Sequence, residues 1–97
     1  ALDESGNLVN GRGDKPNRHD LLTGTMMDGT AYFPSVTEDR TCSNWTSSGE
    51  GSATVGHHDR HGGGNVSWNA AHGSRGCSMD DLAKTGGAGL FMCFAAN

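Results

Sequence analysis

Leu90-Phe91-Met92-Cys93-Phe94-Ala95 is the most hydrophobic run of the chain. An unbroken apolar stretch of this length reads as a strand covered on both faces. We therefore expect it to be the central buried strand, with the remaining elements arranged about it. Just upstream, Ser78-Met79-Asp80-Asp81-Leu82-Ala83-Lys84 predicts one or two helical turns. Ser78 is placed to cap them, Asp80 and Asp81 lie near the positive end of the helix dipole, and Gly86 and Gly87 stop them.

Farther out the elements shorten. Val66-Ser67-Trp68-Asn69 alternates apolar and polar, as a half-buried strand does. Ala53-Thr54-Val55-Gly56 reads as a weak strand, followed by a Gly/His loop from His57 to Gly64. Thr41-Cys42-Ser43-Asn44-Trp45-Thr46 is rich in β-favouring residues, and Ser47 to Gly51 is a polar loop. Leu21 to Thr25 predicts a strand, Asp28-Gly29 a hairpin turn, and Thr30 to Phe33 the return strand, ended by Pro34. Residues 1–20 are polar and turn-rich, with a two- or three-residue strand at Leu8-Val9. There is no repeat and no linker, so residues 1–97 form at most one domain.

Composition limits what that domain can be. Of 97 residues 33% are hydrophobic and 16 are Gly, too lean a set for a long-helix bundle or a large core. It must offset a conformational entropy on the order of 100 kcal/mol. A short-stranded, loop-rich fold with a covalent staple satisfies these bounds. The absence of a Gly-X-Y period excludes collagen. A charged fraction of 19% with 2 Pro argues against a disordered tail. A net charge of −4 with scattered Lys and Arg argues against nucleic acid as a partner. No apolar run approaches the roughly 20 residues needed to span a bilayer.

Cys42, Cys77 and Cys93 form no CxxC pair, which excludes a thioredoxin motif and a zinc ribbon. Two readings stay open: three buried thiols in a reducing compartment, or one disulfide plus a thiol whose partner lies on another chain or segment. The chain opens with Ala1-Leu2-Asp3-Glu4 and no signal peptide, as expected of a cytosolic protein or of a mature or truncated form.

Several motifs reduce to turns. Arg12-Gly13-Asp14 spells an integrin-type tripeptide that a Gly-rich turn explains equally well. Asn44-Trp45-Thr46 and Asn65-Val66-Ser67 are glycosylation sequons that matter only on a eukaryotic secretory route. Asp3 to Asn7 has its Gly at the wrong offset for a calcium loop. The sharpest chemistry lies in His57, His58, Asp59 and His61, good ligands for zinc or copper. Yet His57 and His58, being adjacent, would point to opposite sides of an extended chain. A polar network of His57, Asp59 and Arg60 is the competing reading. No nucleophile elbow is present, and Cys77 near His72 is a weak Cys–His pair, so we expect no enzyme activity.

Taken in order, the motifs resemble the C-type-lectin-like superfamily, in particular its endostatin-like branch and uncharacterised bacterial secreted relatives. Lys15-Pro16-Asn17 is similar to the Pro-containing tripeptide of the sugar-binding loop. Leu22-Thr23-Gly24 and Asp28-Gly29 resemble the hydrophobic–Gly strand and its turn. Cys42-Ser43-Asn44-Trp45-Thr46 is similar to the Cys-x-x-Trp segment of endostatin, and Trp68-Asn69 to the Trp-Asn-Asp strand of lectins. Cys77 and Cys93, the latter within Phe91-Met92-Cys93-Phe94, fall where the last two cysteines of such domains fall.

The resemblance implies an α+β fold of mostly short antiparallel strands with long Gly-rich loops and little helix. It implies a Cys42–Cys77 disulfide, and a Cys93 that pairs with a cysteine of the first, helical half of the domain. No cysteine precedes Cys42 and the two opening helices are missing, so the chain resembles the C-terminal half of such a domain. Lys15 replaces the Glu or Gln that ligates calcium in calcium-dependent lectins, and Ala70 replaces the Asp after Trp-Asn, so calcium-dependent sugar binding is not implied.

The function expected from this reading is non-catalytic: a secreted or periplasmic recognition module that binds a protein or glycan without calcium. Asn17, Arg18, His19, Asp20, Asn69 and His72 are the candidate binding residues, together with His57 to His61. Trp45 and Trp68 read as core anchors rather than sugar platforms. The alternatives are a structural or accessory subunit of a larger membrane-associated complex, and a zinc or copper site at His57, His58, Asp59 and His61. We expect no other cofactor. A protein partner, including the missing N-terminal half, is expected, and no membrane span.

Overall fold

The chain's centre is set by Asp20–Leu22 (β1), which collects partners from far along the sequence. The computed structural model describes residues 1–31, 39–60 and 67–94. After β1 come a single turn at Cys42–Trp45 (α1), then Thr54–His57 (β2), His72–Gly73 (β3), Met79–Lys84 (α2) and Gly87–Leu90 (β4). The four strands form one sheet in the order β3-β2-β1-β4. β1 pairs antiparallel with β2, placing Asp20 opposite His57 and Leu22 opposite Val55. It pairs in parallel with β4 on its other side, with a shift in register between Asp20 and Leu21. β2 pairs antiparallel with β3, with Val55 opposite His72. A mixed sheet with two short helical elements is the α+β class.

The core is correspondingly small. Leu21, Ala53, Val55 and Leu82 are buried, and Val55 is the largest fully buried side chain. Cys42 and Cys77 are joined in a disulfide that packs with Ala53 against Leu22. Of the two cysteine readings, the disulfide is therefore the one adopted, and Cys93 is an exposed free thiol. Among the described residues, no helix is long and apolar enough to cross a membrane.

The helix is where the sequence puts it. Ser78 Oγ accepts from the Asp81 backbone N–H at 3.1 Å, and Asp80, Asp81 and Lys84 complement the dipole. Ser78→Ala is expected to cost about 1 kcal/mol. That lowers Tm by roughly 4–8 °C for a domain of this size, read by thermal unfolding.

Three expectations are corrected. The apolar run at 90–95 is not a central strand: β4 stops at Leu90 and forms the sheet edge, leaving Phe91 56% and Phe94 74% exposed. Among the described residues no strand pairs on its outer side, so hydrophobicity alone does not extend it. Ala95 lies outside the described residues. Second, Thr41–Thr46 is not extended. Cys42, Ser43, Asn44 and Trp45 have φ of 50, 57, 57 and 65°, a left-handed turn. The Asp39 carboxylate accepts from the Thr41 backbone N–H and hydroxyl and from the Ser43 N–H, and Thr41 Oγ1 accepts from the Asn44 N–H. These local bonds compete successfully with β propensity. Third, Trp45 and Trp68 are 41% and 46% exposed rather than core anchors, each meeting the edge of a neighbouring aromatic ring, Phe91 and Phe94.

Smaller differences follow the same logic. His57 ends β2 instead of opening a loop. Residues 67–69 form no strand, because Ser67 Oγ bonds Asn69 Oδ1 locally, and Val66 lies outside the described residues. At Asp28-Gly29 the expected turn is present, closed by Gly29 N–H to Met26 O, with Thr25 bridging Ala31. The rest of the expected return strand, and Gly62 to Gly64, lie outside the described residues. Leu8 bridges Leu2 as an isolated pair.

Candidate functional site

Strand register builds a histidine–aspartate centre at one end of the sheet. Asp20 opens β1 directly across from His57, and His72 joins from β3, beyond β2. Asp20 is only 3% exposed. Its Oδ1 lies 2.9 Å from His57 Nε2, 3.3 Å from His72 Nε2 and 3.4 Å from His19 Nε2. Despite these short approaches, neither carboxylate oxygen accepts a properly directed hydrogen bond among the described residues. His57 Nε2 and His72 Nε2 are themselves 3.1 Å apart, and the His19 and His57 rings stack at 3.7 Å.

The far nitrogens of these rings are held from behind. His19 Nδ1 lies 2.9 Å from Asp59 Oδ1, whose other oxygen accepts the Arg12 backbone N–H. Burial acts to raise the Asp59 pKa, but the Arg12 and His19 hydrogen bonds outweigh it and hold the carboxyl below its ordinary value. His72 Nδ1 lies 3.0 Å from the Gly73 carbonyl, and Arg60 Nη1 lies 3.2 Å from His57 Nδ1. Burial, then the neighbouring His19 charge, pushes the His57 pKa down; contact with Asp20 raises that of His72 against its partial burial.

The expected residues divide as follows. His19, Asp20, His57 and His72 converge, and Asp59 supports them. His58 turns away, its Nε2 3.1 Å from the Asn10 carbonyl, so His57 and His58 do point apart. His61 lies outside the described residues. Of the loop residues His57, His58, Asp59 and His61, His57 joins the centre and Asp59 supports it; the centre itself is drawn from three strands and the residue before β1. Asn17 Oδ1 accepts the His19 N–H and steadies the approach to β1, while Arg18 is exposed beside it. Sequence proximity misses His19 and His72 as partners of His57; only the pairing of β1 with β2 and β2 with β3 joins them.

Asn69 belongs to a different place. Its amide donates to Thr25 Oγ1 and to the Met26 carbonyl, tying residues 67–69 to the 25–31 turn. Between them opens a cleft of about 320 Å³ lined by Thr25, Asn69, Leu22, Met92, Trp68 and Phe94. A second groove of about 260 Å³ runs past Leu2, Val9, Leu21, Leu90, Phe91 and the Cys93 thiol. The integrin-type tripeptide is a turn, closed by Asp14 N–H to Gly11 O, and Asp3 Oδ1 accepts from Ser5 and Asn7 in another. Asn44 is exposed, and Asn65 lies outside the described residues. No protein-family model, curated protein or solved structure matches the chain.

Proposed function

We propose that the chain is a non-catalytic, extracytoplasmic recognition module of the C-type-lectin-like kind that binds a glycan or protein without calcium. The observation that carries this reading is the cleft beside Trp68. An indole left 46% exposed, flanked by Phe94 and by the Thr25 and Asn69 side chains, offers an apolar face next to hydrogen-bonding groups. That pairing suits the C–H face of a sugar ring or an apolar side chain of a protein. Independence from calcium rests on Lys15, whose ammonium has no lone pair for a cation. The extracytoplasmic site of action rests on the Cys42–Cys77 disulfide, which persists in oxidising compartments.

A second reading, an accessory subunit or half-domain that docks on a larger assembly, is favoured by the exposed Cys93 thiol in its apolar groove.

A glycan array probed in chelator tests the first reading. Binding is expected to persist, and Trp68→Ala is expected to weaken it at least tenfold, about 1.4 kcal/mol, with an unchanged circular dichroism spectrum. Binding that needs calcium, or that Trp68→Ala leaves intact, overturns it.

A further inference from the structure

We propose that His19, Asp20, His57 and His72 form a binding site for one divalent transition-metal ion of the zinc class. The spacing of the donor atoms is the first argument. A metal held by imidazole nitrogens at about 2.0–2.1 Å in a tetrahedron keeps neighbouring donors about 3.3 Å apart. The separations here are 2.9, 3.1, 3.3 and 3.4 Å, all to Asp20 Oδ1 or between His57 and His72. His19, Asp20 and His57 offer three donor atoms within 4.8 Å of one another; His72 reaches Asp20 and His57 but lies outside that cluster, so its ring must swing toward His19 to complete the tetrahedron.

Proton bookkeeping is the second argument. The ionised Asp59 carboxylate and the Gly73 carbonyl can only accept, so His19 and His72 carry their protons on Nδ1. Their Nε2 atoms, in neutral rings, present bare lone pairs to the buried Asp20 carboxylate. Arg60 donates to His57 Nδ1, so among the described residues a neutral His57 has the only proton on this inner side, and it faces His72 rather than satisfying Asp20. With all three rings neutral, the described residues thus offer one proton to several acceptors around a buried anion, a shortage that either a proton on His72 or a dication relieves. A dication placed among them satisfies all of these lone pairs at once. Asp59 behind His19 and the Gly73 carbonyl behind His72 are the outer partners that metal-bound imidazoles require. Loading moves the His57 proton to Nδ1, so Arg60 must turn away from that ring.

The set differs from a loop of sequential histidines because it excludes His58, which supplies an internal control. It is also independent of the Trp68 cleft, so failure of glycan binding leaves it standing. The test uses the oxidised full chain carrying Cys93→Ser, stripped with chelator and titrated separately with Zn²⁺ and Co²⁺. One equivalent of each is expected, with the visible absorption bands of imidazole-bound Co²⁺. Affinity is expected to fall more than 100-fold in His19→Ala and His72→Ala, by 10–100-fold in Asp59→Asn, and to be unchanged in His58→Ala. The ring-proton NMR signals of His19, His57 and His72 in the unsubstituted histidine background are expected to shift on Zn²⁺ addition while those of His58 stay. That readout stands even where an alanine variant fails to fold. Absence of stoichiometric uptake, uptake indifferent to His19→Ala and His72→Ala, or shifts confined to His58 overturns the proposal.

Discussion

Replacing Cys42 and Cys77 together by Ala is expected to destabilise the fold by about 3–4 kcal/mol. The bridge closes a loop whose ends are 35 residues apart in sequence, and loop-closure entropy in the unfolded chain sets the size of the effect. Domains of this length have total stabilities of about 5–15 kcal/mol, so the loss is a large fraction of the whole. Few other contacts here are worth as much. The two sulfurs pack with Ala53 against Leu22, so the bridge is also half of its own four-residue hydrophobic cluster. Urea unfolding of the oxidised protein and of the double variant measures the difference, and reduction of the unmodified chain should reproduce it. A loss below about 1 kcal/mol would show that the residual structure of the unfolded chain, not its entropy, governs the comparison.

Gly56→Ala is expected to abolish cooperative folding. Gly56 sits within β2, opposite Leu21, while the backbone of residues 68–69 passes across it. A Cβ there would overlap the Trp68 carbonyl oxygen and stand 2.8 Å from Asn69 Cα. Both are backbone atoms, so no rotamer change relieves the clash, and the cost exceeds the roughly 1–3 kcal/mol of ordinary overpacking. Moving residue 68 away would also break the bonds from His57 N–H to Trp68 O and from Ala71 N–H to Val55 O, both 2.8 Å. Gly49→Ala is the matched control: its Cβ meets nothing within 4 Å, and near-neutral stability is expected. Dispersed amide NMR signals that survive Gly56→Ala would refute the close crossing.

What the sequence made legible was what local chemistry decides. Ser78 announces α2, and Asp28-Gly29 announces its turn, because caps and tight turns are read within a few residues. The disulfide came from resemblance, since three cysteines by themselves left two arrangements open. What failed depended on neighbours. The run at 90–95 is apolar enough for a central strand, but β4 sits at the sheet edge and ends at Leu90. Trp45 and Trp68 have the size of core anchors, but Asp39 bends the chain at one and Ser67 and Asn69 bend it at the other. The histidine–aspartate centre was half seen. His57, Asp59 and Arg60 stand close in sequence, whereas His19, Asp20 and His72 reach them only through strand register, which periodicity in such short strands cannot fix.

The parallel pairing of β1 with β4 has a mechanical consequence. The Cys42–Cys77 bridge encloses β2 and β3 entirely, while β1 precedes that covalent loop and β4 follows it. Tension applied between the two ends of the chain bypasses the protected loop and falls on the β1–β4 seam. Because these strands run in the same direction, the seam is loaded in shear, its hydrogen bonds resisting together instead of unzipping singly. The bridge keeps the inner strands tethered even after that seam has parted, so a stretched chain would lengthen in two separate stages.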